Sequence, residues 1–424
     1  MMIQKLKAFL DGAHSVYHGV AQLEKQLTDA GYTALCEGEN WKLMPGGKYY
    51  LTRNGSAILA FRLPEGTPKG FLITASHSDR PGFKVKENGV LKGAYTRLAV
   101  ERYGGMLIAP WLDRPLSVAG RVLVQTETGA QIRLVDFDRD LLLIPNVAIH
   151  MNRTANDGYK WNPATDTIPL LGSKESADKF MEELEKLAGG KILGHDLFLY
   201  VRQPASVWGL EEEFVSSAAI DDLECAWGCT QGFLKAGTTD NIPVLCVFDN
   251  EEVGSSSYQG AASDLLATTL AAICGALGLE QRQVLAKSFL ISADNAHAIH
   301  PNHPELADAA NAPVMNGGVV LKFNANQRYT TDGVSAAVFR AICQKADVPV
   351  QTYCNRADMP GGSTLGNISL SQVAVPSVDI GLPQLAMHSC YETAGVKDIA
   401  YLVDAIATFY GADLEMRAGG FTLG

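Results

Sequence analysis

The sequence lacks any sign of paired cysteines. Its 424 residues include eight cysteines, none of them in a C-x-x-C pair. Cys225 and Cys229 are four residues apart, which favours packing on one helix face over a metal site. Because nothing in the sequence calls for disulfides, we predict a protein of the reducing cytoplasm.

Long apolar segments are also missing. The longest membrane-like run, residues 265–279, is too short and too rich in Thr and Gly to cross a bilayer, so we expect a buried helix there. The N-terminal segment M-M-I-Q-K-L-K-A-F-L-D-G-A has no long apolar core before its charged residues, which favours an amphipathic helix over a signal peptide. The sequence therefore predicts no membrane partner.

Positive charge is scarce relative to negative charge. Lys and Arg number 35 against 46 Asp and Glu, which gives a net charge of −11. Nucleic-acid binding calls for a basic surface, so we expect no nucleic-acid partner. A hydrophobic content of 47% is ordinary for a globular protein, and the length allows two domains or one domain with an insertion.

Two different patterns divide the chain. Residues 1–88 and 206–424 alternate short apolar runs with helical segments, which predicts a mostly parallel sheet covered on both faces. Residues 89–205 are β-rich, with a hairpin pattern in V-L-V-Q-T-E-T-G-A-Q-I-R-L-V-D-F and a charged helix over residues 175–187. We predict an α/β fold in which a three-layer α/β/α domain is interrupted by a β-rich domain.

Metal-binding residue types recur along the chain, several of them directly after apolar runs. In a parallel sheet the carboxyl ends of neighbouring strands meet at one edge, where sites form. Two histidines, two aspartates and two adjacent glutamates suit a pair of divalent metals, with one carboxylate left to move protons. The pattern indicates a metal-dependent hydrolase. The residues are His77, Asp221, Glu251, Glu252, Asp294 and His388.

Two of these motifs also have ordinary structural interpretations. In an extended H-S-D segment, His77 and Asp79 would point the same way, so Asp79 could accept a hydrogen bond from the His77 ring; a surface loop is the alternative. Glu251 and Glu252 could act as a general base and a metal ligand, or they could be an acidic pair at a helix N-terminus.

The other candidate positions are similarly open. Asp221 and Asp222 precede a helical segment, where an acid is ordinarily an N-cap; for a carboxylate that bridges two metals, the spacing slightly favours Asp221. His388 lies in a segment bounded by Gly and Pro, where an exposed histidine is ordinary. A cluster of three histidines is interrupted by prolines, which exclude a helix. We expect these histidines to be loop residues that support Asp294, with at most one near the metals. They are His297, His300 and His303.

Eight segments in order along the chain carry a resemblance to a known family. They are A-S-H-S-D-R-P-G-F, I-P-N-V-A-I-H-M-N-R, E-F-V-S-S-A-A-I-D-D-L, D-N-E-E-V-G-S-S-S-Y-Q-G-A, S-A-D-N-A-H-A-I-H-P-N, L-K-F-N-A-N-Q-R-Y-T-T, G-G-S-T-L-G and A-M-H-S. On these motifs the chain resembles the aspartyl aminopeptidase family of dinuclear zinc metallopeptidases.

The resemblance implies two Zn²⁺ ions per subunit, which Mn²⁺ or Co²⁺ could replace. Glu251 would be the general base and Asp79 would orient His77. The β-rich insertion would be a dimerisation domain, and dimers would build a closed homododecamer. One ion would be held by His77, Asp221 and Asp294, and the other by Asp221, Glu252 and His388.

Substrate contacts are implied as well. In similar proteins the residue matching His150 reaches into the active site of a neighbouring subunit. Lys322 lies where relatives place a cation that faces an acidic N-terminal side chain, and Tyr329 belongs to the same motif. Gly362 and Ser363 lie in G-G-S-T-L-G, which is either a plain turn or a tight turn whose N–H groups face the substrate.

Two departures from the family pattern affect the predicted specificity. The chain has Ala219-Ile220-Asp221 where Arg-Leu-Asp is common, and Cys390-Tyr391 replaces an arginine-containing sequence. The loss of a cation near the site would favour neutral substrate residues.

The predicted function is removal of N-terminal residues, Asp or Glu first and neutral residues as the alternative, from short peptides with a free N-terminus. A water bridging the metals would attack the peptide carbonyl, with Glu251 as general base. The competing functions are a dinuclear-metal deacylase or carboxypeptidase, and a non-catalytic, metal-stabilised assembly protein.

Overall fold

The computed structural model describes residues 2–362 and 364–424. No helix within this part of the chain is both long enough and apolar enough to cross a membrane. The helices are α1 (Met2–Gly12), α2 (Val16–Asp29), α3 (Lys179–Ala188), α4 (Ile220–Lys235), α5 (Leu265–Leu277), α6 (Gln281–Leu285), α7 (Gly333–Ala346), α8 (Leu365–Gln372) and α9 (Asp398–Gly411).

Short strands make up most of the remaining regular structure. The strands are β1 (Thr33–Ala34), β2 (Lys48–Arg53), β3 (Ala57–Arg62), β4 (Phe71–His77), β5 (Gly82–Leu91), β6 (Tyr95–Tyr103), β7 (Leu116–Thr126), β8 (Gly129–Asp136), β9 (Leu170–Ser173), β10 (Ile192–Val201), β11 (Ser206–Trp208), β12 (Phe214–Ser217), β13 (Ile242–Phe248), β14 (Phe289–Ala293), β15 (Ala296–His297), β16 (Val319–Phe323), β17 (Val350–Cys354), β18 (Ser377–Gly381), β19 (Pro383–Leu385), β20 (Glu392–Gly395), β21 (Leu414–Arg417) and β22 (Gly420–Leu423).

A nine-stranded sheet forms the centre of the larger region, in the order β1-β2-β3-β13-β4-β14-β18-β16-β17. Five of its eight neighbouring pairs are parallel, and its middle strands β13, β4, β14 and β18 all run the same way. Because these four strands are parallel, their carboxyl ends lie along one edge of the sheet.

Both faces of this sheet are buried by helices. Along β3, Ile58 and Ala60 join one apolar core with residues of α1, α2, α4, α7 and α9. The alternate residues Leu59 and Phe61 join the opposite core with residues of α5, α6 and α8. Side chains of a strand alternate between faces, so a strand between two helical layers reads as continuously apolar. The predicted α/β/α layering with a mostly parallel sheet is confirmed.

A separate six-stranded antiparallel sheet has the order β8-β7-β10-β5-β6-β9. Helix α3 covers one face of it, where Leu184 joins a core with Val122 and Leu197. The predicted hairpin is present as β7 and β8. The first strand of the sheet begins at Gly82 and β10 ends at Val201, whereas the domain limits 89 and 205 stay predictions.

One predicted helix begins later than expected, and two other elements were not predicted. The helix expected over residues 175–187 begins only at Lys179, after a 3-10 turn at Lys174–Ser176, and Asp178, a residue type preferred at the N-cap, stands directly before it. Helix α8 was not predicted, since L-G-N-I-S-L-S-Q holds weak helix formers. A five-stranded sheet, β11-β12-β20-β19-β15, was also missed, because its strands are too short to show a period.

Candidate metal centre

The residues predicted to bind metal gather at the carboxyl edge of the nine-stranded sheet. His77 is the last residue of β4 and pairs in register with Phe248, the last residue of β13. The chain leaves β13 into a 3-10 turn that carries Glu251 and Glu252, and Asp294 directly follows β14. Parallel pairing of β13, β4 and β14 therefore brings three separate stretches of chain to one place.

Asp221 lies between the two histidines of the cluster. Its Oδ1 is 3.5 Å from Nε2 of His77, and its Oδ2 is 3.4 Å from Nε2 of His388. The same His388 nitrogen is 3.3 Å from Oε2 of Glu252, and Nε2 of His77 is 3.9 Å from Oδ1 of Asp294. These spacings leave room for a cation between the donor atoms.

The donor atoms also lack other partners. One oxygen each of Asp221, Asp222 and Glu252 is buried with no hydrogen-bond partner among the described residues. A buried oxygen left unpaired is costly, and a bound cation removes that cost. Histidine nitrogens with carboxylate oxygens are the ligand chemistry of zinc. Within the described part of the chain, two groups of three residues have donor atoms that all lie within 4.8 Å of one another: His77, Asp222 and Asp294, and His77, Asp221 and Glu252.

The electrostatics of the cluster favour a positive partner. Burial is the main cause that raises the pKa of Glu251 to about 8, of Glu252 to about 7 and of Asp294 to about 6. Burial also acts to raise the pKa of Asp221, but the hydrogen bonds and charges of the two histidines outweigh it and lower that pKa. Several acids so close together cannot all ionise cheaply without a cation.

Asp79 binds the main chain of the acidic turn. Its Oδ1 accepts the N–H of Glu251 at 3.0 Å and its Oδ2 accepts the N–H of Glu252 at 3.1 Å. The ring Nδ1 of His77 is 3.1 Å from the main-chain oxygen of Asp79 and 3.4 Å from its Oδ1. Oδ2 also accepts the hydroxyl of Tyr103 at 2.6 Å. Asp79 thus contacts both the His77 ring and the turn that carries the glutamates.

The backbone at the start of α4 separates the two adjacent aspartates. Ala219 has φ 63, and Asp221 and Asp222 have non-helical backbone angles. Asp221 faces the histidines, whereas Oδ2 of Asp222 accepts the N–H of His77 at 3.0 Å. Asp222 nevertheless belongs to one of the groups that could hold an ion, so the preference for Asp221 stays a prediction.

The family of the chain follows from comparison with known proteins. The profile of the family described as Aminopeptidase I zinc metalloprotease (M18) matches residues 9–410. This chain belongs to the M18 aminopeptidase family. It is therefore a zinc metallo-aminopeptidase, as its motifs predicted, and not a deacylase, a carboxypeptidase or a non-catalytic assembly protein.

Similar proteins support the same family over nearly the whole chain. The M18 aminopeptidase is 42% identical over 422 residues to a probable M18 family aminopeptidase 2 of Clostridium novyi (strain NT), covering 96% of this chain and 98% of that protein. A Pseudomonas paraeruginosa relative of the same name is 40% identical over 421 residues, with the same coverage of both chains.

Solved structures support the same family over nearly the whole chain. The cryo-EM structure of the Ape4 and Nbr1 complex matches with a TM-score of 0.93 and 35% identity, over 96% of this chain and 85% of that one. The S. cerevisiae mApe1 dodecamer matches with a TM-score of 0.85 and 27% identity, over 96% of both chains.

Lys322 of the M18 aminopeptidase is buried behind the cluster. Its side chain is 2% exposed, its Nζ donates to the main-chain oxygen of Asn295 at 2.9 Å, and the same atom is 3.7 Å from Oδ2 of Asp294. The ammonium lies 5.4 Å from the ring centre of Tyr329. The predicted specificity cation is therefore already close to one acid of the site.

Two further predicted substrate residues are exposed. His150 is in the loop between β8 and β9 and is exposed, as is Gly362, and neither belongs to a group that could hold an ion. Ser363 lies outside the described residues.

The three histidines that are close together in the sequence lie in different surroundings in the structure. His297 ends β15, and its ring meets Tyr353 edge-on at 5.9 Å; Tyr353 in turn contacts Tyr329. His300 and His303 lie against each other at 5.2 Å in an exposed loop. Of the three, His297 adjoins the aromatic group beside Lys322.

Sequence reasoning missed two residues whose side chains contact the cluster. Tyr103 comes from the six-stranded sheet and had no metal-site pattern around it. Glu392 is a buried acid whose carboxylate contacts the main chains of Asp221 and His388. Its one cue in the sequence is closeness to His388.

Proposed function

We propose that this M18 aminopeptidase removes N-terminal residues from short peptides with Glu251 as general base. The observation that carries the proposal is the position of Glu251, whose main-chain N–H is bound by Asp79 and whose neighbour Glu252 lies 3.3 Å from His388. The Glu251 carboxylate makes no hydrogen bond to another described residue. A free carboxylate beside such a cluster is suited to proton transfer.

Two Zn²⁺ ions are the proposed cofactors. When bound, zinc supplies a Lewis acid for the peptide carbonyl and lowers the pKa of a water molecule. Mn²⁺ and Co²⁺ share this ligand chemistry and are tested beside zinc below. The proposed ligands are His77, Asp221 and Asp294 for one ion, and Asp221, Glu252 and His388 for the other.

The protein itself handles the proton. Glu251 accepts it from the attacking water and delivers it to the nitrogen of the leaving peptide, so the base is restored after each turnover. Asp79 is the proposed orienting residue, because its contacts hold the main chain of Glu251 and the ring of His77 together.

Asp and Glu are the proposed preferred N-terminal residues. Lys322, with Tyr329 packed against it, supports this preference as the cation next to the cluster, and burial of a charge strengthens its interactions. Asp294 already shares that charge at 3.7 Å, so neutral N-terminal residues are the competing outcome.

Self-association into a homododecamer built from dimers is also proposed, with residues 89–205 as the dimerisation domain between the two halves, 1–88 and 206–424, of the peptidase domain. The mApe1 relative is described as a dodecamer. The loop around His150 exposes Val147, Ile149 and Met151 by 50%, 50% and 82%, and apolar surface of this kind marks interaction sites. His150 would then enter the site of a neighbouring subunit.

Hydrolysis of matched peptides tests the substrate class. Peptides that start with Asp, Glu, Leu or Lys, each free or N-acetylated, are incubated with enzyme loaded with zinc, manganese or cobalt. We expect cleavage of the free Asp and Glu peptides. Faster cleavage of Leu peptides would retain the mechanism and remove the role of Lys322, whereas turnover restricted to acetylated peptides would overturn the requirement for a free N-terminus.

Sedimentation velocity together with activity tests the assembly. We expect a His150→Ala variant to keep the mass of the wild-type assembly and to lose activity. A monomeric wild-type enzyme with full activity would contradict both the dodecamer and the role of His150.

A further inference from the structure

Glu392 joins the main chains of two proposed metal ligands. It is the first residue of β20 and is 2% exposed. The N–H of Asp221 donates to its Oε2 at 3.0 Å, and the N–H of His388 donates to its Oε1 at 2.8 Å. One carboxylate therefore spans two segments that are far apart in the sequence.

Neither of these N–H groups has a main-chain hydrogen-bond partner within a helix or a sheet. Asp221 lies at the start of α4, where N–H groups have no partner within the helix. His388 follows β19 with φ 67, and Ala386 before it has φ 56. A non-glycine residue in this left-handed region carries backbone strain and persists only where its surroundings hold it. The hydrogen bond to Glu392 is one such restraint on His388.

The small five-stranded sheet places Glu392 between the two segments. Its backbone pairs with Ser217 at the end of β12, shortly before Asp221. On the other side, β20 pairs with β19, which leads into the turn of His388. Because the backbone makes these pairings, the carboxylate is not needed for the sheet itself and is free to serve the ligand segments.

Buried or nearly buried carboxylates hold the main chains around the site in a consistent way. Asp79 binds the acidic turn, Asp222 binds the end of β4, and Glu392 binds the remaining two segments. Outer groups of this kind orient metal ligands in many proteins, and their removal typically weakens metal binding. The main-chain N–H groups bound in this way belong to His77, Asp221, Glu251, Glu252 and His388.

We propose that Glu392 is a positioning residue of the metal centre. It sets the separation of Asp221 and His388 through their main chains and contacts neither metal nor substrate. The inference rests on the proposed ligand roles of Asp221 and His388.

The experiment compares Glu392→Gln with the wild-type enzyme. The glutamine side chain keeps one acceptor oxygen but turns an NH₂ group toward the second N–H, so one of the two hydrogen bonds is lost. We expect zinc affinity, measured by competition with a chromophoric chelator, to fall about 10- to 100-fold. The rise in melting temperature that zinc produces over chelator-treated protein should shrink accordingly.

Asp398→Asn is the matched control. Like Glu392, Asp398 is buried, and its carboxylate accepts two main-chain N–H groups, from Asn316 at 2.5 Å and Gly318 at 2.9 Å. These partners belong to a loop without proposed ligands. We expect the control to lower the melting temperature equally with zinc and with chelator, and to leave zinc affinity unchanged.

Two results would overturn the inference: zinc affinity unchanged in Glu392→Gln, or an equal loss of affinity in Asp398→Asn. If Glu392→Gln does not fold, Glu392→Asp decides on the same two measurements, because its shorter side chain keeps the charge but cannot span both N–H groups. Asp221→Asn tests the proposed ligand set separately from the role of Glu392. Unchanged zinc affinity in that variant would contradict the proposed ligand set itself, whereas loss there with no loss in Glu392→Gln would contradict only the positioning role.

Discussion

The two large sheets of this molecule differ in whether their buried acidic side chains have partners. At the edge of the nine-stranded sheet, Asp221 and Asp222 each keep a buried oxygen without a partner among the described residues. In the six-stranded sheet, the partly buried Asp196 is paired with Lys84 at 2.7 Å and Arg121 at 2.9 Å. Unpaired acids accumulate where a cation can bind, and the other sheet follows the usual rule that buried charges are paired.

The six-stranded sheet nevertheless supports the metal centre. Tyr103, at the end of β6, donates its hydroxyl to Asp79. Just after that strand, the oxygen of Gly105 lies 2.6 Å from Nδ1 of His388, and the N–H of Leu107 donates to the His388 oxygen at 3.0 Å. The sheet that holds none of the proposed ligands thus fixes the positions of residues on both sides of the cluster.

The largest expected effect is a loss of catalysis at the edge of the nine-stranded sheet without a loss of bound zinc. Glu251→Gln should lower kcat about 10²- to 10⁴-fold, the usual contribution of a general base, while zinc content by elemental analysis stays at the wild-type level. The same substitution at the exposed Glu101 of β6 should change neither quantity. Wild-type activity in Glu251→Gln would remove its role as the base.

A core substitution in the six-stranded sheet should lower the stability of the fold and leave the metal centre unchanged. Leu197 is fully buried there, so Leu197→Ala should lower the free energy of unfolding by about 2–5 kcal/mol through lost burial and a cavity. Zinc affinity of the folded enzyme should not change. Ile132→Ala, at a position 55% exposed in the same sheet, should stay within about 0.5 kcal/mol. A stability loss as large at Ile132 would show that this face is covered in solution.

Tyr103→Phe tests the contact between the two sheets. Removing the hydroxyl takes a hydrogen bond from the Asp79 carboxylate, and bonds to charged groups contribute about 1.5–3 kcal/mol. We expect kcat/KM and zinc affinity to fall together, although the residue belongs to the sheet without ligands. Tyr95→Phe, in the same strand but 62% exposed, should be neutral. Unchanged kinetics and zinc affinity in Tyr103→Phe would show that its hydrogen bond to Asp79 does not support the metal centre.

The smallest expected effect concerns acid stability where the six-stranded sheet meets the start of α2. Burial opposes ionisation of Asp136, but hydrogen bonds from His14 and Tyr200 outweigh it and lower its pKa below the ordinary 3.8. A carboxyl group whose pKa is lowered by folding stabilises the folded state at pH values above its pKa in the unfolded chain. That stabilisation is lost as the pH falls through the pKa of the folded state.

Asp136→Asn should therefore lower the free energy of unfolding by roughly 1 kcal/mol at pH 7, and the difference from wild type should close below about pH 4. Urea unfolding across this pH range measures it. Asp138→Asn, whose side chain is 72% exposed, should show a smaller difference. A gap that widens toward acid pH would contradict the lowered pKa.

Prediction from sequence succeeded where the signal is local. The apolar runs of β4, β13 and β14 were recognisable because strands buried on both faces are continuously apolar, and parallel order then placed His77 and Asp294 at a common edge. Sequence reasoning failed at α8 and at the five-stranded sheet, where short or weakly formed elements depend on packing against distant parts of the chain.

By itself, the sequence determined the layered α/β architecture, the separate antiparallel sheet and the kinds of metal-binding side chain, since periodicity and residue chemistry are local properties. Only the tertiary structure decided which partner each of those side chains contacts. Asp221 faces both histidines while the adjacent Asp222 binds the main chain of His77, and Glu392 joins segments far apart in the chain. These differences depend on backbone bends and long-range contacts, which only the folded chain brings together.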